Sequence, residues 1–290
     1  MLPYRHMAAP FTLTFCGGAG NVTGANFLLE GAGVKLLVDC GLKQGCKFCE
    51  DTNRDPFPYD AAEIDALIVT HAHIDHIGRI PLLVQRGFKG TIYSTEATRE
   101  LSEVMLMDSM GILNREAERD GLPPLYEQRD IDAAMALWTQ VSYHKEPKLP
   151  GDLVFGLKDA GHILGSAMVE VTSVTGGVRG KTIAFSGDLG NSPAPLLFDT
   201  EPVTDATYVV MESVYGNRTH EDVELRSKRL RAVIETTIAK QGVLLVPAFS
   251  LERTQIMLYE INNLVEEGKI PQVPVYLDSP LAISVTEIYR

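Results

Sequence analysis

Short apolar and β-branched runs, broken by Gly, Asp and Asn, fill the first 94 residues of the chain: Phe11–Phe15, Asn26–Glu30, Val34–Val38, Ile64–Thr70 and Thr91–Tyr93. Runs of this length and composition predict strands. From Thr95, placed as an N-cap, to about Arg119 the residues are good helix formers, with Leu101, Met105 and Leu106 partly on one face. Gly121-Leu122-Pro123-Pro124 ends that helix, because neither Gly nor Pro continues one. A second helix is predicted over Arg129–Leu137. Met168–Val174 and Lys181–Ser186, joined by Gly176-Gly177, predict a hairpin, since paired glycines supply the positive φ that tight hairpin turns need.

The pattern changes after Tyr208–Met211. A helix over about Val223–Ala239, a strand at Val243–Val246, a helix after Ser250, a strand at Val273–Leu277 and a helix from near Pro280 follow in turn. Such alternation predicts a parallel α/β sheet. Internal repeats, low-complexity tracts and linker-like runs are absent, and Arg290 falls inside a helical pattern with no stop signal. One full domain and part of a second are therefore expected.

Composition narrows the class. With 45% hydrophobic and 22% charged residues, the 290-residue chain is of the ordinary globular kind,. Its opening Met-Leu-Pro-Tyr-Arg-His lacks the apolar core of a signal peptide, and no run approaches the roughly 18 apolar residues of a membrane span. A cytoplasmic protein without a membrane partner is expected. Four cysteines, Cys16, Cys40, Cys46 and Cys49, are too few for a disulfide scaffold,. The Cys46–Cys49 pair has no second CxxC to complete a structural zinc site, so both are read as plain loop residues,. A formal charge of -12, from 38 acidic and 26 basic residues, excludes nucleic-acid binding by bulk charge. Recognition of RNA or DNA would need a local positive site, which bound metal ions can supply.

Chemistry concentrates in His71-Ala72-His73-Ile74-Asp75-His76, directly after the strand at Ile64–Thr70. Imidazole and carboxylate suit Zn²⁺, and no structural role needs three histidines packed so closely. His162, in Ala160-Gly161-His162-Ile163-Leu164-Gly165-Ser166, and Asp188, in Ser186-Gly187-Asp188-Leu189-Gly190, are further candidate ligands. Two other features carry less. Gly17–Gly24 resembles a nucleotide-binding glycine loop, yet Asn26–Glu30 continues as a strand where a dinucleotide fingerprint opens a helix, so it reads as a loop beside the active site. His144, in Tyr143-His144-Lys145, reads as a surface or packing residue.

The HAHIDH run, Asp39 in Val38-Asp39-Cys40-Gly41, His162 and Asp188 resemble the first four motifs of the metallo-β-lactamase superfamily. Met211-Glu212-Ser213-Val214-Tyr215-Gly216-Asn217-Arg218-Thr219-His220 is similar to the stretch that opens its β-CASP branch, which includes ribonuclease J and the cleavage and polyadenylation endonuclease. Pro247–Arg253 and Leu277–Ala282 resemble segments of the β-CASP domain itself. The resemblance implies an αβ/βα sandwich over residues 1–215, followed by the beginning of an inserted β-CASP α/β domain over 216–290. It also implies two zinc ions and hydrolysis of single-stranded RNA. His71, His73 and His162 would hold one zinc; Asp75, His76 and Asp188 would hold the other, with Asp188 bridging. Asp75, Glu212 and Asp39 carry the catalytic roles, Glu212 by orienting a proton-donating histidine and Asp39 by orienting ligands or water. For Asp39, a turn aspartate ending a strand is the plainer alternative. His220 would lie near the scissile phosphate.

The family pattern includes two later histidine motifs, and no histidine follows His220 here. A fragment, or a subunit that borrows the missing part, is expected to be inactive alone. Two rivals stay open: a thioester or lactone hydrolase on the same fold, and a catalytically silent RNA-processing subunit. A homo-oligomer is also left open.

Overall fold

The computed structural model describes residues 11–31, 33–45, 52–219 and 223–290. They divide into two compact units: one of residues up to Ser192 together with Asp199–Glu212, and one of Pro193–Phe198 together with Ser213–Arg290.

The first unit is built on two sheets. One has six strands in the order β1 (Thr12–Gly17), β2 (Asn26–Gly31), β3 (Val34–Val38), β4 (Ala66–Ile68), β5 (Thr91–Ser94) and β6 (Trp138–Gln140). Its first three strands pair antiparallel and the rest parallel. The other sheet runs β11 (Tyr208–Val210), β10 (Val178–Phe185), β9 (Ala167–Thr175), β8 (Leu153–Asp159) and β7 (Lys148–Leu149). It is antiparallel except for the β10–β11 pair.

Leu36, Val38, Ala66 and Ile68 from the first sheet form one buried cluster with Leu153, Phe155, Leu157, Val169, Val171, Ile183 and Phe185 from the second. Alternation along each strand places these residues on one face, so the sheets pack against each other. Leu37 and Leu67, which alternate with them, are buried too, as expected of parallel strands covered on both faces. The covering layer comes from α1 (Ile74–Ile77), α2 (Ile80–Gln85), α3 (Glu96–Arg119) and α4 (Gln128–Ala136), whose Ile77, Ile80, Leu83, Leu101, Leu106 and Ile131 are buried.

Several local signals act as expected. Thr95 caps α3, its hydroxyl accepting the Thr98 amide. Gly176 and Gly177, both at positive φ, turn β9 into β10. Others do not. The strand expected over Ile64–Thr70 shrinks to β4, because an Asp60-capped turn of 3-10 helix takes up Ala61–Glu63 and Ile64 closes it. The sequence pattern does not announce α1, α2, β6, β7 or β8, although Leu153, Phe155 and Leu157 alternate as a strand should.

The second unit holds α5 (Val223–Ala239), α6 (Arg253–Glu266) and α7 (Pro280–Ile288), with Ile234, Leu264 and Ile270 at its core. Ser279 caps α7 by accepting the Ala282 amide, with Pro280 in the first turn. The strands expected at Val243–Val246 and Val273–Leu277 are not formed. A strand exists only where a neighbour completes its hydrogen-bond ladder, and among the described residues neither segment has one. Val243, Leu245 and Tyr276 are accordingly 87–95% exposed.

Candidate metal centre

The site forms where the ends of β3, β4, β8 and β10 meet. Asp39 follows β3 at φ 59 and is fully buried. One carboxylate oxygen accepts the Thr70 amide at 2.8 Å; the other accepts the Thr70 hydroxyl at 2.8 Å and lies 2.8 Å from His76 Nδ1. Asp39 thus fixes the residue before His71 and the ring of His76 together.

These contacts set the histidine tautomers. The Thr70 hydroxyl gives its proton to Asp39, so its oxygen accepts from His71 Nδ1 at 2.9 Å. His71 Nε2 then carries the lone pair. Asp39 accepts from His76 Nδ1 in the same way, which turns His76 Nε2 toward Asp188 Oδ1 at 3.3 Å and Asp75 Oδ2 at 3.9 Å. Imidazoles held through one nitrogen by a carboxylate or hydroxyl are oriented for ligation through the other.

His71 Nε2 and His162 Nε2 each lie 3.1 Å from His73 Nδ1, and Asp188 Oδ2 lies 3.7 and 3.5 Å from the two Nε2 atoms. All four ligand atoms fall within 4.8 Å of one another. Tetrahedral zinc with ordinary Zn–N bonds separates its ligands by roughly 3.3 Å. The spacing therefore fits one such ion, and a cation at the centre satisfies all three lone pairs where a ring proton serves one contact well. Asp75 and His76 stand outside this group of four; His76 meets it at Asp188 and against the ring of His71, 4.0 Å between centroids, and Asp75 lies beside His76.

Two glycines allow this convergence. Gly187, at φ +55, packs so close to Thr70 that a Cβ would lie 2.8 Å from the threonine Cβ. At Gly190 a Cβ would lie 1.7 Å from the Gly161 carbonyl oxygen. Only glycine lets the Asp188 loop lie against both Thr70 and the His162 loop,.

Burial, with the neighbouring imidazoles His76, His73 and His162, holds His71 well below the usual histidine range. It is neutral at pH 7 and ready to ligate. Burial acts to lower His76 too, but Asp39 and Asp188 outweigh it and hold that ring well above its ordinary value. Burial raises the Asp75 carboxyl, against the pull of His76. Partial burial acts to raise Asp188 too, yet hydrogen bonding and charge from His76, aided by His162 and His73, lower it to about 2.

Glu212 ends the β11 segment. Its carboxylate accepts the Leu189 amide at 3.1 Å and its own amide donates to the Ser186 hydroxyl at 3.0 Å, so it braces the loop carrying Asp188. Ser166 does the same for His162, its hydroxyl accepting the amides of His162 and Ile163 at 3.1 and 3.2 Å. Thr70 and Ser166 were missed from the sequence; a hydroxyl directly before the first histidine, and another four residues after His162, were the available signals. Gly17–Gly24 joins β1 to β2, with no helix following, and the Ala25 amide just beyond it donates to the Asp75 carbonyl. His220, Cys46 and Cys49 lie outside the described residues.

The profile of the Metallo-beta-lactamase superfamily matches residues 20–216, which hold every one of these converging side chains. The chain belongs to that superfamily. Residues 254–290 match the Beta-Casp domain, placing it in the β-CASP branch. It is 35% identical to a ribonuclease of Thermus thermophilus over 94% of this chain and 59% of that one. An RNase J-like protein of Methanocaldococcus jannaschii is 33% identical over 96% and 60%. Cleavage and polyadenylation specificity factor 73 of Drosophila melanogaster is 30% identical over 94% and 39%. The chain thus spans about three fifths or less of these relatives. Superfamily membership implies a metal, and the His71, His73, His162 and Asp188 group can hold one. Among the described residues no helix is long and apolar enough to cross a membrane.

Proposed function

We propose that the chain carries the metal centre of a zinc-dependent hydrolase of RNA phosphodiester bonds, acting in the cytoplasm on single-stranded RNA. The observation that carries this is the convergence of His71 Nε2, His73 Nδ1, His162 Nε2 and Asp188 Oδ2 at tetrahedral spacing, in a chain whose relatives are named as ribonucleases and RNA-processing factors. Residues 1–215 form the metallo-β-lactamase part and 216–290 the opening of a β-CASP domain.

His71, His73 and His162 would hold one zinc and Asp75 and His76 would contribute to a second, with Asp188 available to both. Bound zinc supplies a Lewis acid for the phosphoryl group and acidifies water at neutral pH. The protein's own groups do the rest. Asp39 and Thr70 fix the ring tautomers. Asp75 would take a proton from the attacking water. Glu212 braces the Asp188 loop and would present its carboxylate to a proton-donating histidine, and the family resemblance assigns His220 a role near the scissile phosphate. On a chain of charge -12, the metal cluster is the local positive site that a polyanion needs.

Metal analysis of chelator-free protein tests the reading. At least one equivalent of zinc is expected in the wild type and none after His71→Ala with His73→Ala; unchanged content in the double variant would remove the basis of the assignment.

A further inference from the structure

His144 and Glu201 face each other across the outer side of the His162 loop. His144 Nε2 lies 2.9 Å from both oxygens of the Glu201 carboxylate. The His144 amide donates to the Leu157 carbonyl at 3.0 Å, tying the pair to β8. Glu201 returns to the end of β8 twice: its carboxylate accepts the Asp159 amide at 3.0 Å, and its own amide donates to the Asp159 carbonyl at 3.0 Å. The neighbouring Thr200 hydroxyl donates to the Ala160 carbonyl at 2.9 Å. That same carbonyl accepts the Gly190 amide at 2.9 Å. One strap, Thr200-Glu201, therefore holds the two residues where β8 becomes the His162 loop, at the point where that loop is bonded to the Asp188 loop.

We propose that Glu201, held in place by His144, is a positioning residue for the metal centre, setting where His162 stands relative to Asp188. The inference rests on the metal reading above. It gives a role to His144, which the sequence marks only as a surface or packing residue. The Glu201 carboxylate is gripped on one side by the Asp159 amide and on the other by the imidazole, so its rotamer is fixed and β8 ends in one place. Without it the Asp159 amide turns to solvent, the Ala160 carbonyl shifts with it, and His162 Nε2 loses its set distance of 3.5 Å from Asp188. The His144 side chain is 64% exposed, so the core of the unit does not depend on the pair.

Zinc affinity, measured on the full chain by competition with a chromophoric chelator, tests this. Residues that orient ligands from outside typically change metal affinity by about 10- to 100-fold when removed. Glu201→Ala is expected to weaken zinc about tenfold, and His144→Ala about threefold by the same reasoning, because Glu201 then keeps its backbone contacts. Glu201→Gln keeps an oxygen for the Asp159 amide and restores most of the affinity. The visible spectrum of the cobalt-loaded protein, which reports ligand geometry, should change in Glu201→Ala and recover in Glu201→Gln, while the melting temperature of metal-free protein stays put. Wild-type zinc uptake with unaltered affinity and cobalt spectrum in Glu201→Ala overturns the positioning role alone. An affinity loss that only tracks a lower metal-free melting temperature overturns it too. A wild-type chain that takes up no zinc overturns the metal reading and this role together.

Discussion

Asp39 Oδ2 and His76 Nδ1 meet at 2.8 Å in the interior of the first unit, and the same carboxylate accepts the amide and hydroxyl of Thr70. Three donors therefore depend on one side chain that no solvent reaches. Asp39→Ala leaves them unpaired in a buried place, where each orphaned group costs about 1–3 kcal/mol. A loss of about 3 kcal/mol or more is expected in denaturant unfolding of metal-free protein. Asp39→Asn should lose less stability but still impair metal binding, because its amide cannot accept from all three donors. Wild-type zinc affinity in Asp39→Asn would show that Asp39 is only a turn residue.

The opposite shifts of His71 and His76 make a pH prediction for metal-free protein. His71 has a lowered folded pKa, so between that value and about 6.5 the unfolded chain binds more protons and stability rises with pH. His76 has a raised folded pKa. Its contribution is complete below about 6.5 and is lost as pH climbs toward the folded value. Stability should thus peak near pH 6.5, each flank bounded by about 1.4 kcal/mol per pH unit for one proton. His76→Gln should flatten the alkaline flank and, because the His76 charge helps to lower His71, soften the acid one as well. An alkaline flank unchanged in that variant would mean that the Asp39–His76–Asp188 chain does not hold a proton.

The metal cluster and the β9–β10 hairpin are legible in sequence because each is local. Three histidines within six residues need no tertiary information, and Gly176-Gly177 states its turn by backbone freedom alone. The helix layer over the first sheet is not local. Ile74–Ile77 is a single turn, too short for periodicity to show,, and the apolar run of α2 looks like any buried segment. Val243–Val246 and Val273–Leu277 fail for the reverse reason: their composition favours a strand, but propensity describes how residues fit a sheet and does not supply the neighbouring ladder. Glu212 was assigned from resemblance to a partner histidine, whereas its visible work is to hold the Leu189 amide.

That contact changes what a Glu212 substitution should do. With the carboxylate bracing the residue after Asp188, Glu212→Ala is expected to lower zinc affinity about tenfold, as removal of an outer support commonly does. Glu212→Gln keeps an oxygen for the Leu189 amide and should retain zinc. Equal affinity in wild type and Glu212→Ala, read by chelator competition, would confine Glu212 to the proton-transfer role.

Gly190→Ala should be the most damaging small change at the site. An added methyl carbon would overlap the Gly161 carbonyl, and backbone cannot yield as a flexible side chain can. The Asp188 and His162 loops must separate, so zinc content should fall to near zero while the circular dichroism of the sandwich persists. Retained zinc at full occupancy would mean that the two loops do not need their close approach.

Glu252 is the place where the second unit should gain stability by substitution. Its backbone stands at φ 65, ψ -54, and the Arg253 amide bonds to the Leu251 carbonyl across it at 2.9 Å. This is the γ-turn of positive φ, a rare and strained conformation. The side chain is buried, one carboxylate oxygen accepts from Tyr289, and the other has no hydrogen-bond partner among the described residues. Burial raises the carboxyl, with Tyr289 and Arg253 pulling it back. Glycine adopts the turn without a Cβ, removing strain of about 1–3 kcal/mol, and takes away the orphaned oxygen. Against this stand the lost Tyr289 hydrogen bond and the greater entropy of glycine in the unfolded chain, each about 1 kcal/mol. A net gain of about 1 kcal/mol is expected for Glu252→Gly, measured by denaturant unfolding. Glu252→Gln keeps the strain and the Tyr289 contact and should show no such gain. If Glu252→Gly instead unfolds earlier than Glu252→Gln, the packing and hydrogen bond of this side chain outweigh the strain of its backbone.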